Sequence, residues 1–315
     1  MLKTTHTFLL VIFFGLTSGL SALLEAREPG KPLQVVCTIL PIYSLTLNVV
    51  ERVQGVQVDL LLPAHQGCPH NYDLTQGDLL KLSRADLIIA NGLGMEEFLD
   101  QFFKKIKLKI PILKAAAEVE PIANNSGPVR VRVGKKKGEV SQDHTAKVNG
   151  HAWVSPSAAA IMVRTIAEGL SVQDPTRATS YRTNAERYAG KLEGLSEKMK
   201  ERVSKAKNKN ILAFHDVLAY WARDIGLNIV GVVQGQLGIE PTSKDLARLV
   251  KVIKDRQVAA IFSEPQYSDK VVRTLSRETG TPFFAIDPVA TGKPGADTYE
   301  KAMERNLETL KTALK

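Results

Sequence analysis

The chain has 315 residues, 44% of them hydrophobic and 24% charged, and carries a formal net charge of +9. That length accommodates two domains with a core in each, and the balance is that of a globular protein, which excludes a low-complexity, collagen-like or disordered chain. A basic chain suggests nucleic acid, but no basic patch interleaved with aromatic residues is present and the amino terminus points to export, so no nucleic-acid partner is expected.

Residues 1–26 read as a secretory signal peptide. Lys3 supplies the positive start, Phe8 to Leu24 is mostly apolar, and Ala22 or Ala26 suits the cut. Thr17, Ser18 and Ser21 interrupt a run already short for a membrane anchor. No cysteine follows it to take a lipid, and no later segment is apolar enough to span a bilayer. The expectation is a soluble, periplasmic monomer.

From Leu33 the pattern is strand, helix, strand, helix. Leu33–Leu40 is a buried-strand run, followed by a helix from about Tyr43 to Val53. Val56–Leu62 is a strand, a helix begins near Thr75, and Leu87–Asn91 is the third strand. A helix from Glu96 to Lys105 and a short strand from Lys109 to Leu113 follow. Such alternation predicts parallel sheet flanked by helices. The segment 118–150 breaks the rhythm. Val129–Val133 alternates like a two-faced strand, and Gly134 and Gly138 bracket three lysines as in an exposed hairpin. The basic stretch of about 124–149 reads as a solvated loop. A helix from Ser157 to Leu170 restores order.

Residues 175–206 then read as one long helix. Tyr181, Ala185, Tyr188, Leu192, Leu195, Met199 and Val203 recur at steps of three and four. Pro175 suits a first turn and Asp174 an N-cap. Gly190 and Gly194 suggest a flat patch where another element packs closely. Similar α/β patterns on both sides make this helix a strut between lobes 27–174 and 207–315. In the second lobe, strands are predicted over 210–214, 228–233, 258–262 and 283–286, with helices over 218–225, 268–279 and from Thr298. Another helix is opened by a Thr242/Asp245 capping box. The fold class is α/β, two lobes of parallel-rich sheet flanked by helices and joined by one long helix.

His70 and His215 follow predicted strands, His151 stands in a loop before a helix, and Asp287 ends the strand 283–286. Ligands of open parallel sheets bind outside the carboxyl ends of the strands, so two lobes side by side would bring these groups to one cleft. Three imidazoles and a carboxylate form a four-coordinate set suited to Zn²⁺. The alternative for each histidine is a surface or capping residue, since no H-E-x-x-H or C-x-x-C spacing is present. Cys37 and Cys68 both lie in the first quarter of the mature chain, and in an oxidising compartment a bridge between them is expected. The alternatives are a core thiol at Cys37 and a free thiol near the metal at Cys68.

Five motifs carry a resemblance. They are Gly67-Cys-Pro-His-Asn-Tyr-Asp73, Gly150-His-Ala-Trp-Val-Ser-Pro156, Phe214-His-Asp216, Ser263-Glu-Pro-Gln-Tyr-Ser268 and Ile286-Asp-Pro288. With these in order over about residues 33–312, the chain resembles the periplasmic zinc- and manganese-binding proteins of metal ABC transporters. The resemblance implies His70, His151, His215 and Asp287 as ligands of one metal ion, a single helix joining the lobes, and an ABC permease as partner. The chain departs from that pattern in two ways: the segment 124–149 has only His144 where many zinc-specific members have a histidine-rich loop, and Cys68 is not a general feature.

Other polar groups read as secondary. His65 is a loop histidine or an accessory ligand, Glu264 an outer-shell carboxylate that orients a ligand, and Trp153 and Trp221 core. Four protein ligands filling the tetrahedron favour capture of Zn²⁺ and delivery to a permease. A manganese carrier on the same fold, a zinc-dependent hydrolase, which would need an open metal position, and an adhesin are the alternatives.

Overall fold

The computed structural model describes residues 31–67, 72–99, 103, 110–123, 129–133, 148–235 and 242–314. Among them, nine strands fall into two sheets in which every pairing is parallel. The first sheet holds β1 (Leu33–Cys37), β2 (Val56–Leu60), β3 (Leu87–Ala90) and β4 (Ile112–Lys114), in the order β2-β1-β3-β4. The second holds β5 (Val129–Val133), β6 (Asn210–Ala213), β7 (Asn228–Gly235), β8 (Ala260–Ser263) and β9 (Phe283–Ala285), in the order β5-β7-β6-β8-β9. Without β5 the two windings are the same. In each, the strand order reverses once, between β1 and β3 and between β6 and β8.

Val129–Val133 is a strand, as its alternation suggests, and the turn of the expected hairpin at Gly134 and Gly138 lies outside the described residues. β5 pairs in parallel with β7, about 100 residues later in the chain, and so extends the second sheet although it precedes the long helix. Alternation specifies a two-faced strand but not its partner.

Helices α1 (Leu40–Val49), α2 (Gln76–Ser83), α3 (Pro156–Gln173), α4 (Ala178–Ser204), α5 (Ala219–Ile225), α6 (Ser243–Asp255), α7 (Lys270–Thr279) and α8 (Thr298–Ala313) accompany the sheets. α1 begins three residues before its predicted start because Pro41 fits the first turn. Thr242 and Asp245 form the expected capping box, and Thr75 and Asp78 form another at α2. Of the helix predicted over 96–105, residues 97–99 and 103 are helical, and residues 100–102, 104 and 105 lie outside the described residues. No described helix is long and apolar enough to cross a membrane.

The two sheets do not have independent cores. One apolar cluster runs from Leu33, Val35 and Ile88 through Tyr181, Tyr188, Leu192 and Met199 of α4 to Ile211, Trp221 and Phe262. A smaller cluster, including Leu212, Leu249, Ile253 and Leu275, covers the opposite face of the second sheet. Side chains alternate across a strand, so Ile211 and Ala213 of β6 join the shared core while Leu212 joins the other.

α4 has 27 residues and is about 40 Å long at 1.5 Å per residue. All seven apolar residues that predicted its inner face are buried. At one end Asn184 Nδ2 donates to Val49 O and Glu51 O, at 3.0 and 2.9 Å. Near the other, Trp221 Nε1 donates to Met199 Sδ at 3.2 Å and Arg202 reaches Leu314 O. A 3-10 turn over Pro175–Arg177 precedes it. Asp174 caps no backbone group with its side chain. Its carboxylate instead accepts from Thr176 Oγ1, Arg177 Nη1 and Tyr181 Oη, at 2.7, 2.7 and 2.9 Å.

Gly190 and Gly194 are exposed, and a Cβ at either would meet nothing, so the close-packing patch expected there is absent. Cys37 is a free, buried thiol whose Sγ donates to Thr46 Oγ1 at 3.3 Å, and the bridge to Cys68 is not formed in this structure. The thiol faces α1 inside the core. Burial pushes its pKa up to about 12, which leaves it protonated and unreactive. Cys68 lies outside the described residues.

Two outcomes follow. Gly190→Ala and Gly194→Ala should each raise stability by about 0.5–1 kcal/mol, since Gly costs that much in an open helix position; a lower urea midpoint would mean that a close neighbour covers them. Burial alone would raise the Asp174 carboxyl, but the Thr176, Arg177 and Tyr181 hydrogen bonds outweigh it and hold the pKa below the ordinary value. A depressed carboxyl stabilises above its unfolded pKa of about 3.9, and the effect is lost as pH falls through the folded value. Asp174→Asn should therefore lower Tm at pH 7, with the gap to wild type closing toward pH 3. A gap independent of pH would show that packing, not charge, is what the substitution removes.

Candidate metal centre

In open parallel sheets the place where strand order reverses leaves a crevice at the carboxyl ends. His215 and Glu264 stand there in the second sheet, His215 two residues after β6 and Glu264 directly after β8. β6 and β8 are hydrogen-bonded neighbours, so chain topology alone brings these two side chains together. His215 Nδ1 lies 4.0 Å from Glu264 Oε1, and its Nε2 lies 3.3 Å from Asp216 Oδ1.

His151 arrives from the other half of the chain. Its ring is 5.4 Å from that of His215, centroid to centroid, at an interplanar angle of 76°. His151 is 3% exposed and precedes a 3-10 turn over Ala152–Val154. The rest of its motif is structural. Trp153 Nε1 donates to Pro288 O at 2.8 Å, Tyr299 Oη donates to Trp153 O at 2.6 Å, and Ser155 Oγ donates to Asp224 Oδ2 at 2.5 Å. Trp153 and Trp221 are core residues, as the sequence suggests, and Trp153 also ties the His151 turn to the Asp287-Pro288 turn.

Asp287 follows Ile286 after β9 and is held within its own half. Its backbone exchanges two hydrogen bonds with the Asn306 carboxamide, at 2.9 and 2.8 Å. Oδ1 accepts from Val289 N at 2.8 Å, and Oδ2 pairs with the exposed Arg305 at 2.9 Å. A carboxylate has about four lone-pair sites, so each oxygen keeps acceptor capacity beyond these bonds.

Glu264 is a strongly perturbed group of the cleft. It is 3% exposed, its Oε2 accepts from Gln266 Nε2 at 2.7 Å, and its Oε1 has no hydrogen-bond partner among the described residues. Burial raises its pKa to about 8; the Gln266 hydrogen bond works against that rise and the Asp216 charge adds to it. A buried acceptor left open costs stability unless a ligand satisfies it. Two neighbouring imidazoles are nitrogen donors of the kind a divalent transition metal takes, and the Glu264 carboxyl stands behind His215.

Among the described residues, no group of three or more His, Cys, Asp and Glu side chains is near enough together to hold a metal ion. His70 and His144 lie outside the described residues. His65 is exposed in a turn. Sequence reasoning passed over Asn149, whose Oδ1 accepts from His151 N at 2.8 Å and lies 3.0 Å from His151 Nδ1. A signal was available, because Asn two residues before another residue commonly bonds that residue's backbone N–H.

Two parallel sheets with paired polar groups between their carboxyl edges define a solute-binding protein. Residues 35–313 match the family described as ZnuA, zinc-uptake complex component A, periplasmic, and the chain belongs to that family. The iron-binding protein YfeA of Yersinia pestis is 27% identical over 317 residues, covering 98% of this chain and 95% of YfeA. The zinc-binding protein AdcA of Streptococcus pyogenes serotype M1 is 28% identical over 316 residues, covering 96% of this chain but only 59% of AdcA. Among solved structures, the solute-binding protein FpvC of Pseudomonas aeruginosa in complex with Mn²⁺ superposes with a TM-score of 0.76. It is 30% identical over 90% of this chain and 98% of FpvC. The protein is thus an extracytoplasmic metal-binding component of an ABC transporter and not an enzyme.

Proposed function

We propose that this protein captures Zn²⁺ in the periplasm and hands it to an ABC permease of the inner membrane. The observation that carries the reading is the convergence of His151 and His215, one from each half of the chain, with the buried Glu264 carboxyl behind them. In this reading His70, His151, His215 and Asp287 ligate the ion and Glu264 supports His215. The metal lies between lobes 27–174 and 207–315, bridged by the helix over 175–206. Residues 1–26 direct export, and the mature chain works as a soluble monomer.

Imidazole nitrogen suits zinc, and three such donors with one carboxylate leave a bound Zn²⁺ with a net charge of about +1. For Asp287 to ligate, its bond with Arg305 must weaken. Arg305 is 63% exposed, and exposed ion pairs are worth at most about 1 kcal/mol, so the obstacle is small. A second reading, a manganese carrier, is favoured by the open Glu264 oxygen near His215, since manganese prefers harder donors and higher coordination numbers. Iron-binding YfeA and manganese-bound FpvC are similar to this chain at comparable identity.

Titration calorimetry checks the ligands. His151→Ala and His215→Ala should each weaken zinc by more than about 100-fold, beyond the loss typical of an outer-shell partner, while the folded circular dichroism spectrum persists. Near-native affinity in either variant removes that residue from the site. Zinc outranks manganese at most such sites, so the metal question needs a variant. His215→Glu should narrow the zinc-to-manganese affinity ratio in competition titrations, mainly by weakening zinc, and an unchanged ratio would shift the choice to cavity geometry.

A shared core also limits movement. Trp153–Pro288, Tyr299–Trp153 and Ser44–Ala296 hydrogen bonds pin the halves together around α4. Capture is therefore expected to order side chains and loops rather than close a hinge. Solution scattering should give nearly the same radius of gyration with and without zinc; a large contraction would contradict this.

A further inference from the structure

We infer that Asn149 is a positioning residue that fixes the tautomer of His151 and sets its ring against the His215 turn. The inference rests on His151 being a ligand. The orientation of the carboxamide follows from its partners. Asn149 Nδ2 lies 2.9 Å from the carbonyl oxygen of Asp216, which only accepts, so that atom must be the amide nitrogen. Oδ1 then faces His151, where it accepts the backbone N–H at 2.8 Å. The 3.0 Å contact with His151 Nδ1 is a hydrogen bond only if Nδ1 carries the hydrogen. A neutral imidazole with Nδ1–H presents its lone pair at Nε2, the form a metal ion takes.

The carboxamide cannot turn away from this task. Asn149 is 4% exposed. Its N–H donates to Ile122 O at 2.7 Å, and its carbonyl accepts from Tyr220 Oη at 2.7 Å. Tyr220 Oη in turn accepts from Ile122 N at 3.1 Å. One side chain therefore holds the imidazole from one half and the backbone carbonyl immediately after His215 from the other. A rotation of the His151 ring breaks its contact with Asn149. The residue fixes the His151 ring relative to the backbone that carries His215.

The test begins with the metal-free wild-type protein. With ¹⁵N-labelled histidine, a long-range ¹H–¹⁵N correlation spectrum recorded where imidazole is neutral should show His151 as the Nδ1–H tautomer. An Nε2–H signal overturns the inference without any variant. Asn149→Ala should move His151 toward a tautomer mixture and weaken zinc binding about 10- to 100-fold. Asn149→Asp keeps an oxygen acceptor and should restore the Nδ1–H signal, which a purely structural role for the side chain would not predict. If Asn149→Ala fails to fold, wild type and Asn149→Asp still decide the question. An Nδ1–H signal retained in Asn149→Ala with unchanged affinity sinks the inference. Native zinc affinity in His151→Ala would instead sink the ligand assignment and leave the tautomer result standing.

Discussion

Burial of one apolar face of α4 is the constraint on which the rest depends. Tyr181, Tyr188, Leu192 and Met199 belong to the same cluster as the inner faces of both sheets. Fully burying a side chain of this size contributes about 1.5–3 kcal/mol. The helix therefore does more than space two domains. It is the wall against which both halves pack, and neither half retains its core if the helix leaves. This explains how 27 residues that include two exposed glycines persist as one helix, since packing rather than propensity supplies the stability.

The centre depends on that wall at one remove. Two sheets with the same winding are held so that the carboxyl edges of their switch points converge, His215 and Glu264 on one side and the His151 turn on the other. Trp153 fastens the His151 turn to Pro288, and Asn149 fastens it to Asp216. These links are buried and directional, and they hold the two imidazoles near each other. Beside them the Glu264 carboxyl is desolvated, and its Oε1 has no hydrogen-bond partner among the described residues.

Much of the architecture was legible in the chain. Period-two and period-3.6 patterns placed the strands and helices to within a few residues, and the heptad-like run 181–203 predicted the buried face of α4 in full. His215 and Glu264 were readable as strand-end residues, and β-strand neighbours bring them together. Other features were not legible, for reasons that can be named. The alternation of Val129–Val133 does not say which strand it joins. Gly190 and Gly194 look alike in sequence whether they face a neighbour or water, and here a Cβ at either would meet nothing. Two cysteines in one stretch do not fix which way Cys37 points.

What the sequence by itself determined is local: which segments are strand or helix, which helix face is apolar, where turns carry histidine and carboxylate, and that five motifs stand in one order. Those properties depend on residues a few positions apart. Only the tertiary structure decided that the halves share one core, that β5 crosses to the second sheet, and that Cys37 remains a free thiol. It also decided that Asn149 bridges His151 to Asp216. Each of these joins atoms separated along the chain by tens to hundreds of residues, or depends on which face of a strand is turned inward. Such contacts are set by packing and hydrogen-bond geometry in three dimensions, to which no periodicity in one dimension corresponds.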